Sequence, residues 1–302
     1  MKNRLHVLFA FGLIIAVSGV TQAQTNFYSD DFNRATINGG TYTYTTNASA
    51  GDGAVSLDGT KVTLSNDGSG AANANGRVFF STPASGFSSG FNTQLNANPS
   101  TLQWTFNVKY DRTTEPSGFN SGNYGMAVVL GATSSDFMTA NGYALVFGNS
   151  GTPDPFRLVT FTSGLDLNSQ LTNVVSATTA PFSDPQTGGV LTNHYSFRVT
   201  YNPLDSSWLV YGRDDGTAAF ADPIAGVTTL LASGSINTDY TSSSLTHLGV
   251  LWNYGTTANQ TMQFDNYSLM AIPEPSTYAL MLAGATLMLG VCLRRRRSGL
   301  LR

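Results

Sequence analysis

Hard oxygen donors stand near both ends of the central part of the sequence, Asp30 and Asp31 at its start and Asp265 and Asn266 at its close. Carboxylate and amide oxygens of this kind are what Ca2+ takes. Asp31 and Asp265 could share a structural Ca2+ if the fold brings the first and last strands together. No compact D-x-[DN]-x-[DN]-G loop offers a local alternative. Other groups with chemistry are sparse. Glu115 is the only glutamate between residues 24 and 270, so a pair of glutamates acting as acid and nucleophile is absent. Asp214 and Asp215 are adjacent, which on a strand throws them to opposite faces and in a turn before Gly216 leaves them solvated. His194 and His247 each open an alternating stretch and have no Cys, His or Glu at ligand spacing. No G-x-S-x-G string marks a nucleophilic serine. These residues assign no catalytic group. Sugar binding needs exposed aromatic faces beside amides or carboxylates. Trp252 and Tyr254, flanking Asn253 and running into a Gly-Thr-Thr loop, are the candidate binding edge, with core packing the favoured reading even there. Trp104 falls in the apolar register of its own segment and belongs to the core.

The elements that must position these groups are strands. In TLQWTFNVKY (Thr101 to Tyr110) the residues Leu102, Trp104, Phe106, Val108 and Tyr110 share one face, a period of two sustained through the segment. HYSFRVTY repeats it with Tyr195, Phe197, Val199 and Tyr201, and the turn Asn202-Pro203-Leu204-Asp205-Ser206 leads into SWLVYGR as a hairpin partner. KVTL, RVFF, YGMAVVLG, GYALVFG, FRLVTFT, THLGVLWN and TMQFDNYSL read as further strands between Gly, Asn, Ser, Asp and Pro clusters. No segment of the body carries helical periodicity. The sequence predicts an all-β, antiparallel β-sandwich or jelly roll, with a long polar connection from Ser163 to Gly189.

Both ends of the chain read as addresses. Lys2 and Arg4 precede an apolar run from Leu5 to Val17, and Thr21 and Ala23 are small enough for signal peptidase, so residues 1–23 are expected to be a leader cut after Ala23 and exported through the Sec translocon. At the other end, Thr277 to Leu293 holds no charge. As a helix it would be about 26 Å long, just short of the hydrocarbon core, and the snorkelling stems of Arg294, Arg295, Arg296 and Arg297 supply the rest and act as a membrane stop. Positive charge stays on the cytoplasmic side, which places the body outside the cytoplasm. Residues 271–302 thus divide into a rigid Pro273-Glu274-Pro275, a membrane helix over 277–293 and a basic tail over 294–302. Between the two ends, 24–270 has eight Lys/Arg against seventeen Asp/Glu, a formal charge of −9. So acidic a body disfavours nucleic acid. The single cysteine, Cys292, lies in the apolar run, so the body has neither a disulfide nor a thiolate.

Pro-Glu-Pro-Ser, apolar span and arginine cluster in that order resemble the PEP-CTERM sorting signal over Ile272 to Arg302. That resemblance implies a Gram-negative bacterium that makes exopolysaccharide and an exosortase that takes Pro273, Glu274 and Pro275 as substrate. The protein would be held in the membrane before sorting, then delivered to the cell surface or extracellular matrix. The body, through SDDFNR, WTFNVKY, YSFRVTY and the closing FDNYSL, resembles the concanavalin A-like lectin/glucanase jelly roll. The function so implied is a non-catalytic surface or matrix protein, with exopolysaccharide as a possible ligand. The rivals are a polysaccharide-cleaving glycosidase or lyase using aspartates, and a permanently anchored inner-membrane protein.

Overall fold

The segment with the strictest alternation lies at the middle of the fold, with Leu102, Trp104, Phe106, Val108 and Tyr110 all buried. A computed structural model describes residues 24–49, 53–66, 76–111, 117–120, 124–149, 153–185, 192–232, 234–254 and 260–272. In chain order its strands are β1 (Thr25–Asp30), β2 (Thr45–Ser49), β3 (Gly53–Leu57), β4 (Val62–Asn66), β5 (Gly76–Pro83), β6 (Thr101–Asp111), β7 (Gly125–Ala132) and β8 (Gly142–Phe147). There follow β9 (Arg157–Phe161), β10 (Leu171–Ser176), β11 (His194–Asn202), β12 (Ser207–Gly216), β13 (Thr229–Leu230), β14 (Ser235–Ile236), β15 (His247–Tyr254) and β16 (Gln260–Ile272).

Two antiparallel sheets result. The first runs β13-β12-β11-β6-β16-β4-β3, with β1 added to β16 and β14 to β12; the second runs β10-β9-β8-β7-β15-β5-β2. Their facing sides interlock through aromatic pairs such as Tyr110 against Trp252 (5.3 Å, edge to face) and Tyr143 against Trp208 (4.6 Å). The chain is therefore an antiparallel β-sandwich, as its alternation predicts. The expected loop from Ser163 to Gly189 is corrected in part. It contains β10 (LTNVVS), which pairs along the edge of β9 without the strict alternation that would have revealed it.

The central strands of the second sheet are buried on both faces. The sheet's outer positions are mostly small or aliphatic (Ala127, Val129, Ala144, Val146, Leu251) with Phe79 and Phe161 beside them, and Phe119, Phe137 and Leu165 from the covering loops close a second apolar layer over them. Gly249 is needed beneath it, because a Cβ there would collide with the Phe80 carbonyl oxygen on β5 and lie 2.8 Å from the Phe137 ring. Buried Arg77 ties the loops down by donating from Nη2 to the carbonyls of Phe119 and Asp166, both at 2.9 Å.

Candidate functional site

The first and last strands are neighbours, which settles where the terminal carboxylates lie. β16 pairs with β4 over Gln260 to Phe264 and with β1 over Tyr267 to Ala271, so its partner changes at Asp265 and Asn266. The register against β6 shifts between Asp265 and Ser268, a bulge, and Asn266 takes a left-handed φ of 52°. On the facing strand Asp30 ends β1, Phe32 is likewise left-handed at 51°, and Asp31 and Asn33 stand exposed on either side of it.

At this junction Asp265 is 8 % exposed, and its Oδ1 has no hydrogen-bond partner. Its Oδ2 accepts from Asn266 Nδ2 at 2.9 Å, and the same amide donates to Asn107 Oδ1 at 2.8 Å. Burial pushes the Asp265 carboxyl up to about 7; the charges of Asp31 and Asp30 add to this, while Lys61 and a backbone bond from Asn266 oppose it. The structure thus brings Asp31 within electrostatic reach of Asp265. Among the described residues no group of three or more His, Cys, Asp or Glu could hold a metal ion. A cation here would need amide, carbonyl and water oxygens beside the two carboxylates, a donor set that suits Ca2+ rather than a transition metal.

Asp31 also borders a polar groove of about 340 Å³, lined by Ser29, Asn33, Arg34, Thr41 and Tyr42. Beneath it, Arg34 holds Asp30 with Nη1 at 2.5 Å and Nη2 at 2.9 Å, and Tyr44 Oη donates to the same carboxylate at 2.6 Å. Tyr42 lies half-buried at the rim, its ring 4.5 Å from that of Tyr28.

A second polar cluster escapes the sequence reading. Ser196, fully buried, donates to Asp215 Oδ2 at 2.5 Å and accepts from Asn107 Nδ2 at 2.8 Å and Arg213 Nη2 at 3.0 Å. The expectation of a solvated Asp215 is overturned: its side chain is 2 % exposed and also accepts from Arg213 Nε at 2.5 Å. Asp215 lies on the outer face of the sheet with Ser196 and Arg213 and is buried there by the following loop, whose Ala221 N–H donates to its Oδ2 at 3.3 Å, while Asp214 takes Asn193 at 3.0 Å. His194 lies on the same strand, with Nδ1 3.1 Å from the Gly216 carbonyl and its pKa lowered by burial. Serine, histidine and aspartate share a region without forming a relay, since the Ser196 hydroxyl bonds the carboxylate directly. What the cluster does is fasten the following loop, because Asn107 and Arg213 reach the carbonyls of Ala221 and Asp222 at 2.9 and 3.0 Å.

Trp252 and Tyr254 do not form a binding edge. Both are fully buried, on the inner face of β15 that also carries Leu248 and Val250. The leader with Ala23, Glu115, Pro273-Glu274-Pro275, the apolar run and Arg294 to Arg297 all lie outside the described residues. Among the described residues no helix is long and apolar enough to cross a membrane.

Comparison with known proteins addresses the tail directly. The family model described as the PEP-CTERM protein-sorting motif matches residues 271–297. The chain ends in a PEP-CTERM sorting motif. That motif indicates an exported protein processed by an exosortase. No curated protein matches the chain. Among solved structures, the CBM2 module of the evolved Dit of Lactobacillus casei BL23 phage J-1 is similar at a TM-score of 0.51 and 12% identity, covering 84% of this chain and 98% of that one. The Emp47p carbohydrate recognition domain follows at 0.48 and 13%, with 82% and 96% covered. Peanut lectin stands at 0.48 and 10%, with 82% and 98% covered. Structural neighbours of the body thus include lectin and carbohydrate-recognition domains, and GH43 glycoside hydrolases are among them too, a likeness of fold alone at these identities.

Proposed function

We propose that this chain is a non-catalytic surface or matrix protein, sorted by an exosortase, whose sandwich binds polysaccharide. The observation that carries the reading is the sorting motif that begins at the last strand of a lectin-like sandwich. Supporting the binding part is the groove beside β1, where the Tyr42 ring stands with Asp31, Asn33 and Thr41. An aromatic face next to amide and carboxylate oxygens suits sugar C–H surfaces and hydroxyls. Supporting the non-catalytic part is the direct Ser196–Asp215 bond, which leaves the buried polar cluster without a free nucleophile.

Two outcomes are expected. Changing Pro273, Glu274 and Pro275 together to alanine leaves envelope-bound chains whose intact mass still runs through Arg302, where the native tail yields a shortened form. If native chains also keep Arg302, permanent anchoring replaces sorting. In the second experiment the protein is retained on its host's exopolysaccharide or on a glycan panel, and Tyr42→Ala weakens retention by about tenfold, the equivalent of one lost contact of ~1.4 kcal/mol. No retention on either leaves a structural role, and release of reducing ends from the matrix would make the protein an enzyme.

A second reading concerns a cofactor and rests on the buried, unpartnered Asp265 Oδ1. We infer that Asp265 and Asp31 hold a structural Ca2+ at the junction of β1 and β16, closing the first strand onto the last.

A further inference from the structure

We propose that the end of the sandwich carrying Leu204 and Ile236 is a lipid-facing surface, seated on the bilayer into which the C-terminal run enters. The proposal rests on the reading of residues 277–293 as a membrane anchor before sorting, and it adds which part of the domain meets the membrane.

Strand registers define that end. Ile272, the last residue of β16, is opposite Thr101, and the adjacent Leu102 is opposite Tyr201. Asn202 then faces Ser207 across the turn that holds Leu204, and Ser207 faces Ile236. The exit of the chain, the β11–β12 turn and β14 therefore share one end of the first sheet. Thr25 pairs with Ala271, so the start of the body emerges there too.

The two most exposed large apolar side chains among the described residues are at this same end, Leu204 at 75 % and Ile236 at 74 %. They lie in different elements, yet four strand spacings, about 19 Å, span everything from β16 to β14. Covalent length limits how far this end can stand from lipid. Only residues 273–276 separate Ile272 from Thr277, so five steps of at most ~3.6 Å keep Ile272 within about 18 Å of the hydrocarbon edge. The headgroup layer alone takes up roughly 5–7 Å of that distance.

Charge selects the kind of contact. Arg198, Arg213 and Lys109 are level with Thr105, Asn107 and His194, further along the strands, while Asp205 lies in the turn itself. An end without paired basic side chains does not select phosphate headgroups. Two apolar side chains on a tethered domain instead suit the interfacial layer of the bilayer, where the tether's high effective concentration makes a weak contact sufficient.

The test uses the full chain with Cys292→Ser and one added cysteine, Leu204→Cys, Ile236→Cys or Ile224→Cys, each carrying a bimane label. Ile224 is a control: it is 53 % exposed and lies in the loop fastened at the level of Ser196, six residues or about 20 Å along β11 from Asn202. The chains are reconstituted in phosphatidylethanolamine–phosphatidylglycerol vesicles that contain lipids spin-labelled high on the acyl chain. Flotation with the vesicles reports anchoring, and loss of bimane fluorescence reports contact. Floating chains quenched at 204 and 236 but bright at 224 are the expected result. Floating chains equally bright at all three positions overturn the lipid-facing surface while leaving the anchor intact. Chains that do not float overturn the anchor and the surface with it.

Discussion

Asp30→Ala is expected to lower the unfolding free energy of the sandwich by about 3 kcal/mol, more than removal of any one of the carboxylate's partners. Asp30 is 6 % exposed and gathers four donors: Nη1 and Nη2 of Arg34, Tyr44 Oη and the backbone N–H of Phe32. Deleting it removes the counter-charge of a largely buried guanidinium, leaving it only the carbonyls of Thr36 and Ile37, and leaves the buried Tyr44 hydroxyl with Tyr28 alone. Tyr44 in turn shares a 2.7 Å hydrogen bond with Tyr28, and burial together with Asp30 holds both phenols well above their ordinary pKa. Phe32 adds a second cost. Its left-handed backbone is strained for a bulky residue, and its N–H bond to Asp30 Oδ1 at 2.8 Å helps to hold it. Its ring is packed 5.8 Å from Phe264 and 5.9 Å from Phe80. Tyr44→Phe, which keeps ring and carboxylate, should cost only about 1 kcal/mol. Urea unfolding of the three proteins with matched m-values checks the order. Equal losses for Asp30→Ala and Tyr44→Phe would show that Asp30 is not the hub.

The same residue shows what the sequence could and could not convey. SDDFNR and FDNYSL mark a first and a last strand, and the expectation that such strands lie side by side brings Asp31 toward Asp265, where the structure has them. Which aspartate does which work was not legible. Asp30 is buried against Arg34 and Asp31 exposed, continuing the alternation of Tyr28 and Ser29, but a short strand ending in two aspartates does not signal from residue type which of them faces in. Trp252 is different, because the signal was present: Leu248, Val250, Trp252 and Tyr254 alternate as regularly as Leu102 to Tyr110, and alternation places all of them inside. Residue type alone points to a binding edge, whereas periodicity points to the core, the favoured reading and the one the fold adopts. The Ser196 cluster lay beyond reach for a third reason. Its members come from β6, β11 and β12, and only the register Asn107 to Ser196 to Arg213 brings them together. Such non-local pairings are set by the whole sheet, as is the weakly patterned edge strand β10.

Asp265 yields the other large effect, and its sign depends on calcium. A carboxyl whose folded pKa, near 7, exceeds its unfolded value binds its proton more tightly in the fold. Its contribution is therefore greatest below the ordinary carboxylate range and is lost as pH rises from about 4 through about 7. Allowing for solvent screening at the surface, the loss is on the order of 2–3 kcal/mol. Asp31 and Asp30 at the end of β1 deepen the penalty; Lys61 beside the start of β4 relieves part of it, and Asn107 on β6 is neutral. Asp265→Asn in calcium-free buffer at pH 8 should therefore raise stability by about 2 kcal/mol and flatten the pH profile. Calcium reverses the comparison. A cation at Asp31 and Asp265 neutralises the desolvated carboxylate, so the native protein gains ~2.7 kcal/mol at a hundred times its dissociation constant while Asp265→Asn gains little. The two thermal melting curves then cross between EDTA and millimolar Ca2+. Melting temperatures of the native protein that are identical in both would remove the cation and leave Asp265 as a buried acid held neutral near pH 7. An Asp265→Asn protein less stable than native at pH 8 without calcium would show that the carboxylate is solvated by the fold after all.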